Sequence, residues 1–110
     1  MAEEISQQGV LLEFTDNLCG KFWLTPKALH HIKHDNLIED PQSFINQVFR
    51  GTIAIVESKW KSETYIYYSP LGKLYGSVVA NTIDRRIKTA FISKEIKGGG
   101  VIWISPNLMT

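Results

Sequence analysis

All three histidines of the 110-residue chain fall within five consecutive positions, His30-His31-Ile32-Lys33-His34. An imidazole with an ordinary pKa of about 6.5 accepts or gives up a proton near neutral pH, so this cluster marks a place for acid–base chemistry. At about 100° per residue, a helix over the segment buries Ala28, Leu29 and Ile32, sets His30 and His34 nearly opposite, and leaves His31 at the edge. A boundary imidazole is fixed by packing on one side and meets substrate on the other. His30 and His34 also stand at the i, i+4 spacing of helical zinc motifs. No glutamate sits between them and no cysteine can complete the shell, so the reading assigns no metal and no cofactor. The alternative is three ordinary histidines on a helix surface.

A second constellation lies late in the chain. Residues 84–97 hold Arg85, Arg86, Lys88, Lys94 and Lys97 against Asp84 and Glu95, a local basic patch hidden by the net charge of +1. Strand alternation puts Ile87, Thr89 and Phe91 on one face and Arg86, Lys88 and Ala90 on the other. Read functionally, the cations meet phosphate and Thr89 offers a hydroxyl. The bland reading is a solvated strand face with a buried threonine. Tyr65, Tyr67, Tyr68 and Tyr75 are mostly explained by cross-strand packing, with base stacking left open for one of them. Gly98-Gly99-Gly100 precedes a strand and lacks the lysine and helix of a phosphate loop, so it reads as a flexible turn.

These residues need elements to hold them. Apolar runs at 9–14 and 21–24 flank the turn-rich Asp16-Asn17 and Gly20 and predict a β-hairpin. Thr25-Pro26 starts a helix from 26 to about 34. Asp40-Pro41 starts another, in which Phe44, Ile45, Val48 and Phe49 recur at helical spacing before Gly51. Strands are predicted at 52–57, 64–69, 74–81, 87–93 and 101–105, with hairpin links at 69–73 and 81–86. The fold class is therefore α+β: an N-terminal hairpin and two helices, then an antiparallel β-meander packed on the helices. Phe44, Ile45, Val48, Phe49, Ile53, Ile55, Val78 and Phe91 are the expected core.

Taken in order, Trp23-Leu24-Thr25-Pro26, His31-Ile32 with His34 behind it, Tyr67-Tyr68, Val78-Val79 and Ile87-Lys88-Thr89-Ala90-Phe91 give a resemblance over roughly residues 23–104. The chain resembles the phage-associated nuclease-like domains grouped with barnase, the EndoU nucleases, colicins E5 and D, and RelE. Its closing Ile-Lys-Thr-Ala-Phe is similar to that group's Ile-x-Thr-Ala-Tyr or Phe signature. Asp35 stands where the group has a proline, and the spacing between the histidines is shorter. The resemblance implies metal-independent RNA cleavage, often as a toxin, with RNA as substrate and an antidote or immunity protein as partner. In that chemistry the RNA's own 2′-hydroxyl attacks. His31, with His34 behind it, moves the proton, Arg86 or Lys88 stabilises the phosphate, and Thr89 binds a phosphate oxygen or orients the histidine. The competing reading is a non-catalytic module of the same fold that binds nucleic acid or a protein. A small metal-dependent hydrolase is the third.

Bulk composition sets the frame. At 44% hydrophobic and 21% charged residues the chain is ordinary globular material, of a size for one domain over 1–110. No apolar run approaches the roughly 20 residues of a membrane span, and the polar N-terminus is unlike a signal peptide. The single Cys19 cannot form an internal disulfide and is read as structural. A cytoplasmic protein is expected.

Overall fold

The computed structural model describes residues 11–106; Gly9 and Val10 of the expected first strand lie outside them. The described chain is α+β, with two helices, a two-stranded hairpin and a five-stranded antiparallel sheet. No helix among the described residues is long and apolar enough to cross a membrane.

Strands β1 (Leu12–Thr15) and β2 (Lys21–Leu24) pair antiparallel, with Phe14 opposite Phe22 and Leu12 opposite Leu24. The period-2 pattern sends Phe14, Phe22 and Leu24 to one buried face. Asp16 shapes the turn, its Oδ1 accepting from the N–H groups of Leu18 at 2.9 Å and Gly20 at 2.7 Å. The exposed Cys19 lies in this turn with φ 66°.

Helix α1 (Pro26–His34) starts where Thr25 Oγ1 accepts from the Ala28 N–H at 3.1 Å and proline takes the first position. Ile32 is fully buried, Ala28 and Leu29 pack half-buried on the core, His30 and His34 face solvent as the helical periodicity predicts, and His31, expected at the edge of the buried face, is also exposed. Helix α2 (Pro41–Arg50) repeats the device, with Asp40 Oδ1 accepting from the Ser43 N–H at 3.1 Å. Its Ile45, Val48 and Phe49 are buried and Phe44 is half-buried against the core. Gly76 lets this helix sit close, since a Cβ there would lie 2.8 Å from Val48 Cγ2.

The remaining strands are β3 (Ala54–Glu57), β4 (Thr64–Leu71), β5 (Leu74–Asn81), β6 (Ile87–Ser93) and β7 (Val101–Ile104), in spatial order β6-β5-β4-β3-β7. The first four form the expected meander. The fifth departs from it, returning to pair with β3 instead of extending past β6. Both edges explain this. The outer edge of β6 is occupied: Trp23 N–H donates to Arg85 O at 2.8 Å, and the Asn36 amide donates to Ala90 O at 2.7 Å. The free edge of β3 takes β7, flanked by bonds from Glu57 N–H to Gly100 O at 2.9 Å and from Ser105 N–H to Ile53 O at 2.8 Å. Segment 94–100 therefore crosses the sheet face that the helices leave bare, pinned by Tyr68 Oη, which donates to Lys97 O at 2.9 Å and accepts from Lys97 N–H at 3.1 Å.

A bulge corrects the expected alternation of β6. Val79 pairs with Thr89 but Ala80 pairs with Ile87, so Lys88 is an extra residue. Ile87 and Ala90 consequently both face the helices and are buried, while Thr89 and Phe91 share the opposite face with Val79 and Ser77. Phe91 is thus half-buried on the far side, outside the core it was expected to join, and Ile53 is also only half-buried. The core proper holds Ile55, Val78, Ala80 and an aromatic cluster in which Phe49 and Tyr67 meet at 4.9 Å and Phe22 sits 5.9 Å from each. Such large rings dominate the apolar stabilisation, roughly 1.5–3 kcal/mol for each fully buried side chain.

Candidate active site

Two concavities flank the N-terminal part of β6. The smaller, about 310 Å³, lies between α1 and the start of the strand and has His31, Lys27, Arg86 and Lys88 in its walls. Three cations thus share a hollow with one imidazole. The α1 start positions it, because the Thr25 cap and Ala28 form its near wall and Ile87, buried by the bulge, forms its floor.

His31 Nδ1 lies 2.7 Å from Asp35 Oδ2, one helical turn on. An ionised carboxylate only accepts, so Nδ1 carries the hydrogen and Nε2 of the neutral ring is left with a free lone pair. Both side chains are about half exposed or more, at 46% and 67%, so the pair adds little to stability and acts by orienting the ring. Asp35, noticed in the sequence only as the replacement for a proline, is therefore the histidine's partner. Its i, i+4 spacing to His31 was a legible signal.

Lys88 Nζ reaches Asp84 Oδ2 at 2.7 Å. Burial is the largest single influence on the Asp84 carboxyl and pushes its pKa up. The hydrogen bonds from Lys88 and the Arg86 N–H, with the charges of both side chains, together outweigh it and hold the carboxyl below its ordinary value. The exposed Arg86 side chain opens onto the hollow. Its neighbour Arg85 is a structural residue, with its guanidinium 4.0 Å from the centre of the Phe22 ring and its Nε donating to Lys21 O at 3.0 Å.

Thr89 and His34 lie apart from this grouping. Thr89 Oγ1 accepts from Asn36 Nδ2 at 2.9 Å and belongs to the wall of the second concavity. His34 packs against His30 with tilted rings, their centres 4.2 Å apart, on the exposed side of α1. Among the described residues no three His, Cys, Asp or Glu side chains converge as a metal ligand set.

The second concavity, about 800 Å³, is a groove on the sheet face away from the helices. Ile66, Val79 and Phe91 form its floor, segment 94–98 one wall, and the connection between β3 and β4 the other. Lys88 belongs to both concavities and separates them. Compared with protein-family models, curated proteins and solved structures, the chain gives no significant match.

Proposed function

We propose that the protein is a metal-independent endoribonuclease in which the substrate's 2′-hydroxyl is the nucleophile and His31 the general base. The observation that carries this reading is the convergence of His31 with Arg86 and Lys88 on one hollow, with Nδ1 held by Asp35. Nε2 takes the 2′-hydroxyl proton, O2′ attacks phosphorus, and the P–O5′ bond breaks to leave a 2′,3′-cyclic phosphate while O5′ takes a proton from solvent. Arg86 and Lys88 stabilise the charge that builds on the non-bridging oxygens. Thr89, held by Asn36 at the other side of Lys88, binds a neighbouring phosphate oxygen. No side-chain nucleophile is required.

The experiment is cleavage of mixed RNA in EDTA by the wild type and by His31→Ala. We expect cyclic-phosphate ends from the wild type and a loss of about 10²- to 10⁴-fold in rate for the variant. A 2′-deoxy or 2′-O-methyl nucleotide at the cleaved position is expected to resist. Undiminished cleavage there would show that water attacks, and cleavage abolished by EDTA and restored by zinc would make the protein a metal-dependent hydrolase. Growth arrest of bacteria by the wild type but not by His31→Ala is the expected cellular counterpart.

A further inference from the structure

Trp60 is 89% exposed at the tip of the connection between β3 and β4, with Lys59 and Lys61 on either side. Tryptophan is on average among the more buried side chains, and an indole left in water gains nothing for the fold. The tip is nevertheless built. Ser58 Oγ accepts from the N–H groups of Trp60 at 3.1 Å and Lys61 at 3.3 Å, and Ser58 N–H donates to Thr64 O at 2.8 Å. The adjoining Glu63 carbonyl, at φ 60°, accepts from Thr82 N–H at 2.8 Å and Thr82 Oγ1 at 3.0 Å, which braces the tip against the next turn of the sheet. An ordered backbone thus presents a ring with no packing partner at the mouth of the groove.

The groove matches that ring in chemistry. Its floor is apolar, its rim carries Lys59 and Lys61 together with Lys88, paired with Asp84, and Lys97, 3.5 Å from Glu95, and its volume falls within the roughly 300–1,000 Å³ of small-molecule sites. A flat apolar face beside several cations suits one ligand chemistry above others: an unpaired base stacked on the indole with its phosphates on the lysines. Lys88 continues the cationic rim into the hollow of His31. A strand laid along the groove from Trp60 past Lys88 would lead toward that hollow.

We infer that this groove is the substrate-binding subsite for single-stranded RNA, in which Trp60 stacks a base near the cleaved phosphodiester and Lys59 and Lys61 hold the flanking phosphates. The inference rests on the ribonuclease reading but is tested without catalysis. The probe is a single-stranded, mixed-sequence 2′-O-methyl oligonucleotide of about eight nucleotides, within the site sizes of single-strand binders. Binding is followed by tryptophan emission and by anisotropy of a labelled probe.

The wild type is expected to bind with quenching. Trp60→Leu is expected to lose most of the quenching and bind on the order of five- to a hundredfold more weakly, with Trp60→Phe between them. Lys59→Ala with Lys61→Ala is expected to lower the slope of log affinity against log salt by about 1.4. The same oligonucleotide annealed to its complement is expected to bind at least about tenfold more weakly, because its bases are no longer free to stack. Wild-type affinity in Trp60→Leu, equal binding of the duplex, or no binding by the wild type each overturns the inference. Binding of the probe without cleavage of RNA by the wild type would remove the nuclease reading and leave the groove standing, whereas cleavage with a silent Trp60 would do the reverse.

Discussion

The side-chain amide of Asn36 donates at 2.9 Å to Thr89 Oγ1 and at 2.7 Å to the carbonyl of Ala90, tying the chain just beyond α1 to the edge of β6. This tie holds the histidine helix against the strand that carries Arg86 and Lys88. It also satisfies a carbonyl that the edge strand leaves without a ladder partner on that side.

Removing the amide breaks both bonds and leaves the Ala90 carbonyl unpaired in a half-buried place. Asn36→Ala is expected to cost about 1–3 kcal/mol in urea unfolding. Thr89→Val leaves the bond to the carbonyl intact and is expected to cost less, about 0.5–1.5 kcal/mol. Equal costs for the two variants would show that the carbonyl bond contributes nothing.

The His31–Asp35 contact predicts the tautomer of the neutral ring. Long-range proton–nitrogen NMR at a pH where the ring is neutral is expected to find the proton on Nδ1, and Asp35→Ala is expected to shift it toward Nε2. An Nε2–H ring in the wild type would contradict the geometry. In the RNA assay Asp35→Ala is expected to lower kcat with little effect on KM, by less than His31→Ala does, since it acts through the ring.

Tyr67 couples the hairpin to the sheet by donating to Asp16 Oδ2 at 2.6 Å. Burial first, then the hydrogen bond and charge of Asp16, push its phenol far above the ordinary value, against the opposing charge of Arg85. Burial raises Tyr68 as well, against its bond with Lys97. A raised folded pKa contributes stability that is whole below the unfolded value of about 10 and is lost as pH climbs toward the folded one. Stability is therefore expected to fall as pH rises above about 10, where the unfolded tyrosines ionise and the folded ones resist. Tyr67→Phe should make that decline shallower, at a cost near neutral pH of about 1–3 kcal/mol for the abandoned Asp16 oxygen. An unchanged alkaline slope in the variant would count against this account.

Gly98 lies at φ 143°, and a Cβ there would stand 2.5 Å from Val56 Cγ2 and 3.1 Å from Glu57 O. Gly98→Ala is expected to destabilise the fold by about 1–3 kcal/mol through backbone strain and a displaced Val56. Gly100→Ala, where a Cβ meets nothing within 4 Å, is the control and is expected to be near neutral. Differential scanning calorimetry on the pair decides the matter, and equal melting temperatures would show that segment 94–100 yields freely.

Local signals in the sequence determined the elements. Thr25-Pro26 and Asp40-Pro41 are helix starts because a side-chain oxygen and a ring with fixed φ satisfy the first turn by themselves, and both helices begin there. The i, i+3, i+4 spacing of Ile45, Val48 and Phe49 fixed which face of α2 is buried, whatever it packs on. His31, Arg86, Lys88 and Thr89 were readable as chemically able residues acting together on one phosphate; the structure brings the first three to one hollow but sets Thr89 in the neighbouring groove, since a local pattern carries no information about which strand edge a helix covers or where a bulge turns a side chain.

The extra residue at Lys88 shows the limit most clearly. Alternation alone put Ile87 with Thr89 and Phe91, and only the pairing of β6 with β5 turned Ile87 and Ala90 toward the helices together. The return of β7 to β3 was equally a tertiary decision, made because α1 and the hairpin already occupied the edge of β6. That crossing of segment 94–100 made a groove out of a bare sheet face and gave Trp60, inconspicuous in a polar link, a position at its mouth.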